Sequence, residues 1–323
     1  MTGLAAIASA STLVGVLFGL GAATAQAVSY IFSRLFVAHQ KRGVVRLLVL
    51  GHILMGAVSL ALAPIFWCEQ TPNLKTILWP LASTVGFYLL GQVGLFLTLR
   101  VTDASRVSPM LAMKVVILAV ISSMILHEDV TWLQWAAVVL SAAAAFMLNA
   151  SGGSLPLKAL AGIALTCLAY CISDLSIGVF VTAMKAGGMG AMQASLLCAF
   201  LSYTLCGVLA VVILPWSGKG APADWKWAAP FAAAWLVGMM CLFICFEAVG
   251  VVYGNILQST RGLISIVIGA HLAGLGMVHL EQKHPRHVVL RRLGAAAMMC
   301  AAIALYRISP QQWGELVRQV WAW

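Results

Sequence analysis

Charge is what this sequence has least of. Of its 323 residues nine are Asp or Glu and 19 are Lys or Arg, together 9% of the chain, where a soluble globular protein carries about 25%. That shortage excludes a soluble domain. Apolar residues take the place of charge, at 62% of the chain with a mean hydropathy of +1.00. Charged side chains are absent outright from Leu47–Cys68, Thr76–Leu99, Val130–Leu157 and Ala186–Gly218, and each run is long enough for the roughly 20 residues a helix needs to cross a bilayer. The net charge of +10 does not point to nucleic acid, because the basic residues fall in short loops between apolar runs, where the positive-inside rule puts them.

Other absences narrow the reading. The first 33 residues carry no charge, so the basic n-region of a secretory leader is missing and Met1–Ser33 reads as a short tail plus a retained helix. Eight cysteines fall mostly inside apolar runs, with no disulfide framework and no metal-type cluster. Cys167 and Cys171, four apart, supply only two ligands, and His127, Glu128 and Asp129 have no further ligand spaced to join them. There is no nucleophile with a base, no HExxH spacing and no ATP-binding loop. The chain is therefore expected to be no enzyme and to need no cofactor or metal. Its energy is expected from a gradient or from exchange.

What is present is an all-α membrane protein. Ten spanning helices are expected at 11–37, 46–67, 77–99, 104–127, 132–150, 158–184, 192–215, 227–249, 252–280 and 289–308, with the turn-rich SGGSLP at 151–156 between two halves. Residues 11–150 would form a first five-helix repeat and 158–308 a second, with Pro80 and Pro230 in the first turns of the third and eighth helices. The closing segment 309–323 is too polar to span. Trp313, Leu316, Val317, Val320 and Trp321 at helical spacing make it an amphipathic interfacial helix in contact with membrane lipid.

An odd number of helices per half makes the second half insert upside down, and the charges agree. In the first half the loops after helices one and three hold Arg34, Lys41, Arg42, Arg46, Arg100 and Arg106, against Lys75 on the other side. In the second half the loops after helices seven and nine hold Lys219, Lys226, Lys283, Arg286, Arg291 and Arg292, against Lys185. Inverted repeats of this kind are typical of secondary transporters.

Two charges interrupt the apolar runs. Lys114 lies about ten residues into the fourth helix, where a cation costs about 2.5–3.5 kcal/mol and usually faces a cavity or a partner. A step of 147 positions leads from Lys114 to Arg261 in the ninth helix, and the same step carries Gly15 to Gly162, Ala22 to Ala169 and Ser29 to Ser176. Two basic groups at equivalent depths read as a substrate site. Pairing with Asp174 or Glu247 is the structural alternative. Gln26, Ser29 and Tyr30 on the first helix and Ser173 and Ser176 on the sixth lie on equivalent faces; they line the same cavity or bond one helix to another. Asp174 is a candidate to carry a coupling proton, since burial raises a carboxylate's pKa. Gln92, Gln258 and His271 are further candidates, and Glu128 and Glu281 read as structural helix ends.

The stretch Leu99–Leu148 has a small-residue entry to the fourth helix at Thr102 and Ala104, a closing Glu128 and a Trp-small start to the fifth at Trp135. A looser second copy has Glu281 and Leu293-Gly294. This pattern resembles the EamA-type branch of the drug/metabolite transporter superfamily, over about residues 11–308. The resemblance implies ten helices in two repeats and a small-molecule substrate, of a class it does not fix. Phosphate-carrying members of the superfamily also place basic residues in helices four and nine. The expected protein is thus a multi-pass transporter of a small, anionic metabolite, phosphorylated or carboxylated, in a bacterial inner membrane, working by alternating access about a central site between the repeats. An amino-acid or metabolite exporter with an uncharged site, or a lipid flippase, is the alternative, and a homodimer is left open. The resemblance implies cytoplasmic termini, whereas 13 of the 19 Lys and Arg lie in loops that would then be external. The charge bias is followed here, with both termini outside.

Overall fold

The computed structural model describes residues 2–40, 43–99, 111, 113–124, 127, 129–149, 157–218, 221–274 and 286–321. Every regular element among them is helical: α1 (Thr2–Gln40), α2 (Val44–Phe66), α3 (Leu74–Leu99), α4 (Met113–Met124), α5 (Trp132–Asn149), α6 (Leu157–Ala186), α7 (Ala191–Ile213), α8 (Pro222–Val249), α9 (Val251–Ser259), α10 (Arg261–Gly274), α11 (Arg286–Arg307) and α12 (Pro310–Trp321), with one 3-10 turn at Leu214–Ser217. Among the described residues six stretches are long and apolar enough to cross a membrane: Ser11–Val37, Val44–Phe66, Leu74–Leu95, Leu157–Ala186, Ala191–Ser217 and Pro222–Val249. Met113–Met124, Trp132–Ala144 and Gly294–Arg307 are shorter apolar helices. The expected linker 151–156, together with Lys41, Arg42, Arg100, Thr102, Ala104, Arg106, Glu128, Lys219, Glu281 and Lys283, lies outside the described residues.

Two expectations about helix limits are corrected. Pro80 and Pro230 do not open their helices. They lie inside α3 and α8, which begin at Leu74 and Pro222. Pro222 takes the first-turn position that suits proline, and the Asp224 carboxylate accepts the Ala221 N–H at 3.0 Å to cap the end. The ninth helix is not one rod. Its ladder is interrupted at Thr260, whose N–H and hydroxyl both turn back to the Leu257 carbonyl, at 3.1 and 2.7 Å. Local hydroxyl-to-backbone bonds of this kind compete with the helical ladder.

The chain divides into two compact units, each drawn from both halves of the sequence: Met1–Leu89 with Ile172–Gly254 and Ile264–Lys283, and Leu90–Cys171 with Asn255–Leu263 and His284–Trp323. In the first unit α1 packs on α8 and α2 on α7. A Cβ on Gly56 would stand 2.6 Å from the Cα of Gly207, and the reverse is nearly as close at 2.7 Å. Helices in lipid gain no hydrophobic drive toward each other, and small residues that admit close packing take over that role. Phe180, Phe200 and Phe243, fully buried, fill the core beside them. Both ends of the α2–α7 pair are stapled by a side chain of one helix's first turn. Arg46 donates to the Ser217 hydroxyl at 2.7 Å and the Gly218 carbonyl at 3.2 Å, with Asp224 3.7 Å away; Gln193 donates to the Phe66 carbonyl at 3.0 Å.

In the second unit α5 packs on α11, with the Ser141 hydroxyl 3.5 Å from the Met299 sulfur. The starts of α5 and α12 carry reciprocal caps, Thr131 with Gln134 and Ser309 with Gln312. Trp313 meets Trp132 edge to face at 6.2 Å, which joins the C-terminal helix to the start of α5.

Candidate functional site

Lys114 is the second residue of α4, its N–H closing a turn onto the Leu111 carbonyl at 3.1 Å. Ile163 and Cys167 with Leu95, Leu111 and Ile117 make the apolar seat that holds α4 in place. The half-buried ammonium stands 5.8 Å from the centre of the Tyr170 ring, a cation–π distance. Tyr170 reaches that position because Gly91 of α3 leaves room: a Cβ there would come within 2.6 Å of the ring. Cys171 donates its thiol to the Lys114 carbonyl at 3.3 Å.

Arg261, half-buried, is the first residue of α10, at the break made by Thr260. Arg261 thus opens a helical segment inside its apolar run, and Lys114 stands in the first turn of α4 as described from Met113, while residues 100–110 and 112 lie outside the described residues. A helix start carries about half a positive charge, so a cation there gains nothing from its helix, and the Lys114 and Thr260 amides are already closed onto the Leu111 and Leu257 carbonyls. Gln258, buried on α9 in the turn before the break, and Gln92, half-buried on α3, belong to the same unit as Lys114 and Arg261.

The other predicted residues lie in the first unit. Gln26 and Ser29 are fully buried in the α1–α8 contact, Gln26 donating to the Met239 sulfur at 3.4 Å and Ser29 to the Gln26 carbonyl at 2.7 Å. Tyr30 is more than a third exposed and meets Trp235 edge to face at 6.1 Å. Ser173 donates to the Thr84 carbonyl at 2.8 Å, and Ser176 lies 2.7 Å from the Ser83 hydroxyl, so both tie α6 to α3. Asp174, buried at 6% exposure, sits between them in sequence. Glu247 is engaged by Lys185 in an ion pair. His271 lies exposed in the last turn of α10.

One constellation escaped the sequence reading. His52 on α2, Tyr88 on α3, Tyr203 on α7 and Trp235 on α8 meet inside the first unit. Aromatic residues in apolar runs read as core, and only their polar tips, brought together by packing, mark them out. The order of the helices around Gly56 and Gly207 is not written in local periodicity.

Among solved structures, one crystal structure is similar to this chain over 93% of its length and 96% of the other's, with 14% identity and a TM-score of 0.65, a likeness of fold. A comparison with curated proteins finds no match. Residues 13–150, the first of the two expected repeats, match the model of the EamA-like transporter family. That match, with six helices among the described residues able to cross a membrane, supports an integral, multi-pass membrane transporter of small molecules whose residues 13–150 carry the EamA-like pattern.

Proposed function

We propose that the chain is a secondary-active transporter of a small organic anion, phosphorylated or carboxylated, bound by Lys114 and Arg261. The observation that carries this reading is that both cations, 147 positions apart, stand in the first turn of a helical segment. Arginine offers a planar fork that grips two oxygens, and lysine a compact, movable charge. The broken helix at Thr260 adds support, since discontinuous helices whose starts face an anionic group are a recurrent device of transporters. Bound anion would neutralise both cations and let the loaded carrier close, so exchange is favoured over leak. Gln92 and Gln258 supply neutral hydrogen bonds to the same ligand. Gln26, Ser29, Tyr30, Ser173 and Asp174 are the further substrate-binding candidates, and Asp174 also carries a coupling proton.

The same reading includes ten spans in two inverted repeats, 11–150 and 158–308, an interfacial tail at 309–323, and alternating access. Packing partners support the repeat. Exchange of the halves turns α1 into α6, α2 into α7, α3 into α8 and α5 into α11. The pairs α1–α8, α2–α7, α3–α6 and α5–α11 then map onto one another or onto themselves. Gly56 and Gly207, 151 apart, touch each other. Ser141 and Met299 share the 158-residue step of Trp135 and Leu293, and they touch as well. Meeting of equivalent residues is what a two-fold relation requires.

The test is Lys114→Gln and Arg261→Gln, made singly, with uptake of organic phosphates and carboxylates into proteoliposomes. Both variants should fold and reach the membrane while uptake collapses at least tenfold, roughly the loss of 1.4 kcal/mol of binding. Normal uptake by both, or competition only by cations and neutral amino acids, would make the cations structural and favour an exporter with an uncharged site.

A further inference from the structure

The aromatic cluster of the first unit contains a titratable group that the anion site does not use. His52 stands eight residues beyond Val44 in the 23-residue α2 and is 4% exposed, about 12 Å along a helix that rises 1.5 Å per residue. Ionisable residues at such depth are rare and mark ion or proton pathways by default. Its partners fix its tautomer. A carbonyl oxygen only accepts, so the 2.7 Å contact between Nδ1 and the Leu48 carbonyl puts a hydrogen on Nδ1. In the neutral ring Nε2 is then an acceptor, and the Tyr88 hydroxyl donates to it at 3.0 Å. The Tyr203 ring lies nearly parallel to the imidazole at 6.3 Å, and its hydroxyl accepts the Trp235 indole N–H at 2.9 Å. Phe231 closes the α8 side, its ring so near Gly51 that a Cβ there would come within 2.8 Å. Packing alone explains a tether between two helices, worth about 0.6 kcal/mol. Both ring nitrogens are also satisfied, Nδ1 by its own helix and Nε2 by Tyr88, as burial of a polar ring requires.

We infer that the His52–Tyr88 pair is a proton-operated switch. A proton bound at Nε2 forms one N–H bond, breaks none and leaves the ring with a single positive charge. The hydrogen bond then reverses: His52 donates, Tyr88 accepts, and the Tyr88 O–H turns outward to donate elsewhere. Tyr88 thus changes from a hydroxyl spent inside the cluster to a donor suited to an acceptor or anionic group. Among the described residues, Tyr88 from α3 and Tyr203 from α7 are the titratable groups shown against His52; α8 borders the cluster with Phe231 and Trp235, which do not titrate, and Tyr30 of α1 reaches it through Trp235. The one charge of α2 itself, Arg46, is engaged by Asp224 and Ser217. The inference rests on the reading of the chain as a transporter but not on the anion site at Lys114 and Arg261.

The experiment uses full-length protein in lipid nanodiscs, with 15N-labelled histidine and the other six of the seven histidines replaced by glutamine. NMR follows the two ring nitrogens between about pH 4 and 9, a window that reaches well below the ordinary histidine value near 6.5. The expected result is Nδ1 protonated and Nε2 bare at high pH, both protonated as pH falls, and a displaced titration in Tyr88→Phe. A ring with hydrogen on Nε2 at high pH, no second protonation in the window, or a titration unmoved by Tyr88→Phe would overturn the switch. No substrate enters this measurement, so its failure is distinct from a failure of the anion-uptake test.

Discussion

Asp224 and Glu247 stand near opposite ends of α8, and each holds a cation, yet their surroundings set very different energies. The Asp224 side chain has no exposure and Arg46 is 11% exposed, whereas Glu247 and Lys185 are 18% and 43% exposed. Removing one partner of a buried pair strands a charge, at about 3–5 kcal/mol; a surface pair is worth about 0–1 kcal/mol. Asp224→Asn should therefore lower the thermal unfolding midpoint clearly, and Glu247→Gln should stay near the parent. Equal losses would contradict the burial argument. At this scale the sequence is legible where a charge interrupts an apolar run, as at Lys114 and Arg261. It is opaque where the choice lies between partners. Glu247 could have answered either cation, and Lys185, at the end of α6, meets it only because α6 and α8 end together.

Helices were legible for a simple reason: charge-free runs of more than 20 residues have few other uses. Their interruptions were not. The segment Val251–Gly274 contains no proline, and its break rests on Ser259 and Thr260 hydroxyls bonding back to the Asn255 and Leu257 carbonyls. Pro80 and Pro230 misled because a helix with enough turns before the proline tolerates one lost bond. Helix contacts give a sharper prediction. Gly56→Ala places a methyl against the Gly207 backbone, whereas Gly86 has nothing within 4 Å of its would-be Cβ. Overpacking typically costs about 1–3 kcal/mol, and alanine is the better helix former. Thermal unfolding should show Gly56→Ala destabilised and Gly86→Ala unchanged or improved. A Gly56→Ala protein as stable as the parent would mean that α2 and α7 separate at little cost.

For the whole molecule, orientation follows from where Lys and Arg lie outside the membrane. On the proposed ten-span arrangement thirteen would lie in the loops after odd-numbered spans, with Lys75, Lys185, Arg307 and Arg318 elsewhere. A C-terminal reporter that fluoresces only in the cytoplasm should stay dark on full-length protein, and bright fluorescence would reverse the assignment. Orientation leaves the central claim untouched, which is that a small anion binds at Lys114 and Arg261. The measurement that tests it most directly is anion-induced thermal stabilisation of the purified protein, read for the parent and for the Lys114→Gln, Arg261→Gln double variant. Ligand at 100 times its Kd stabilises the folded state by about 2.7 kcal/mol. The account predicts that organic phosphates or carboxylates raise the unfolding midpoint of the parent by several degrees and leave the double variant unmoved. The same rise in both proteins, or a rise only with cations and neutral amino acids, would contradict it.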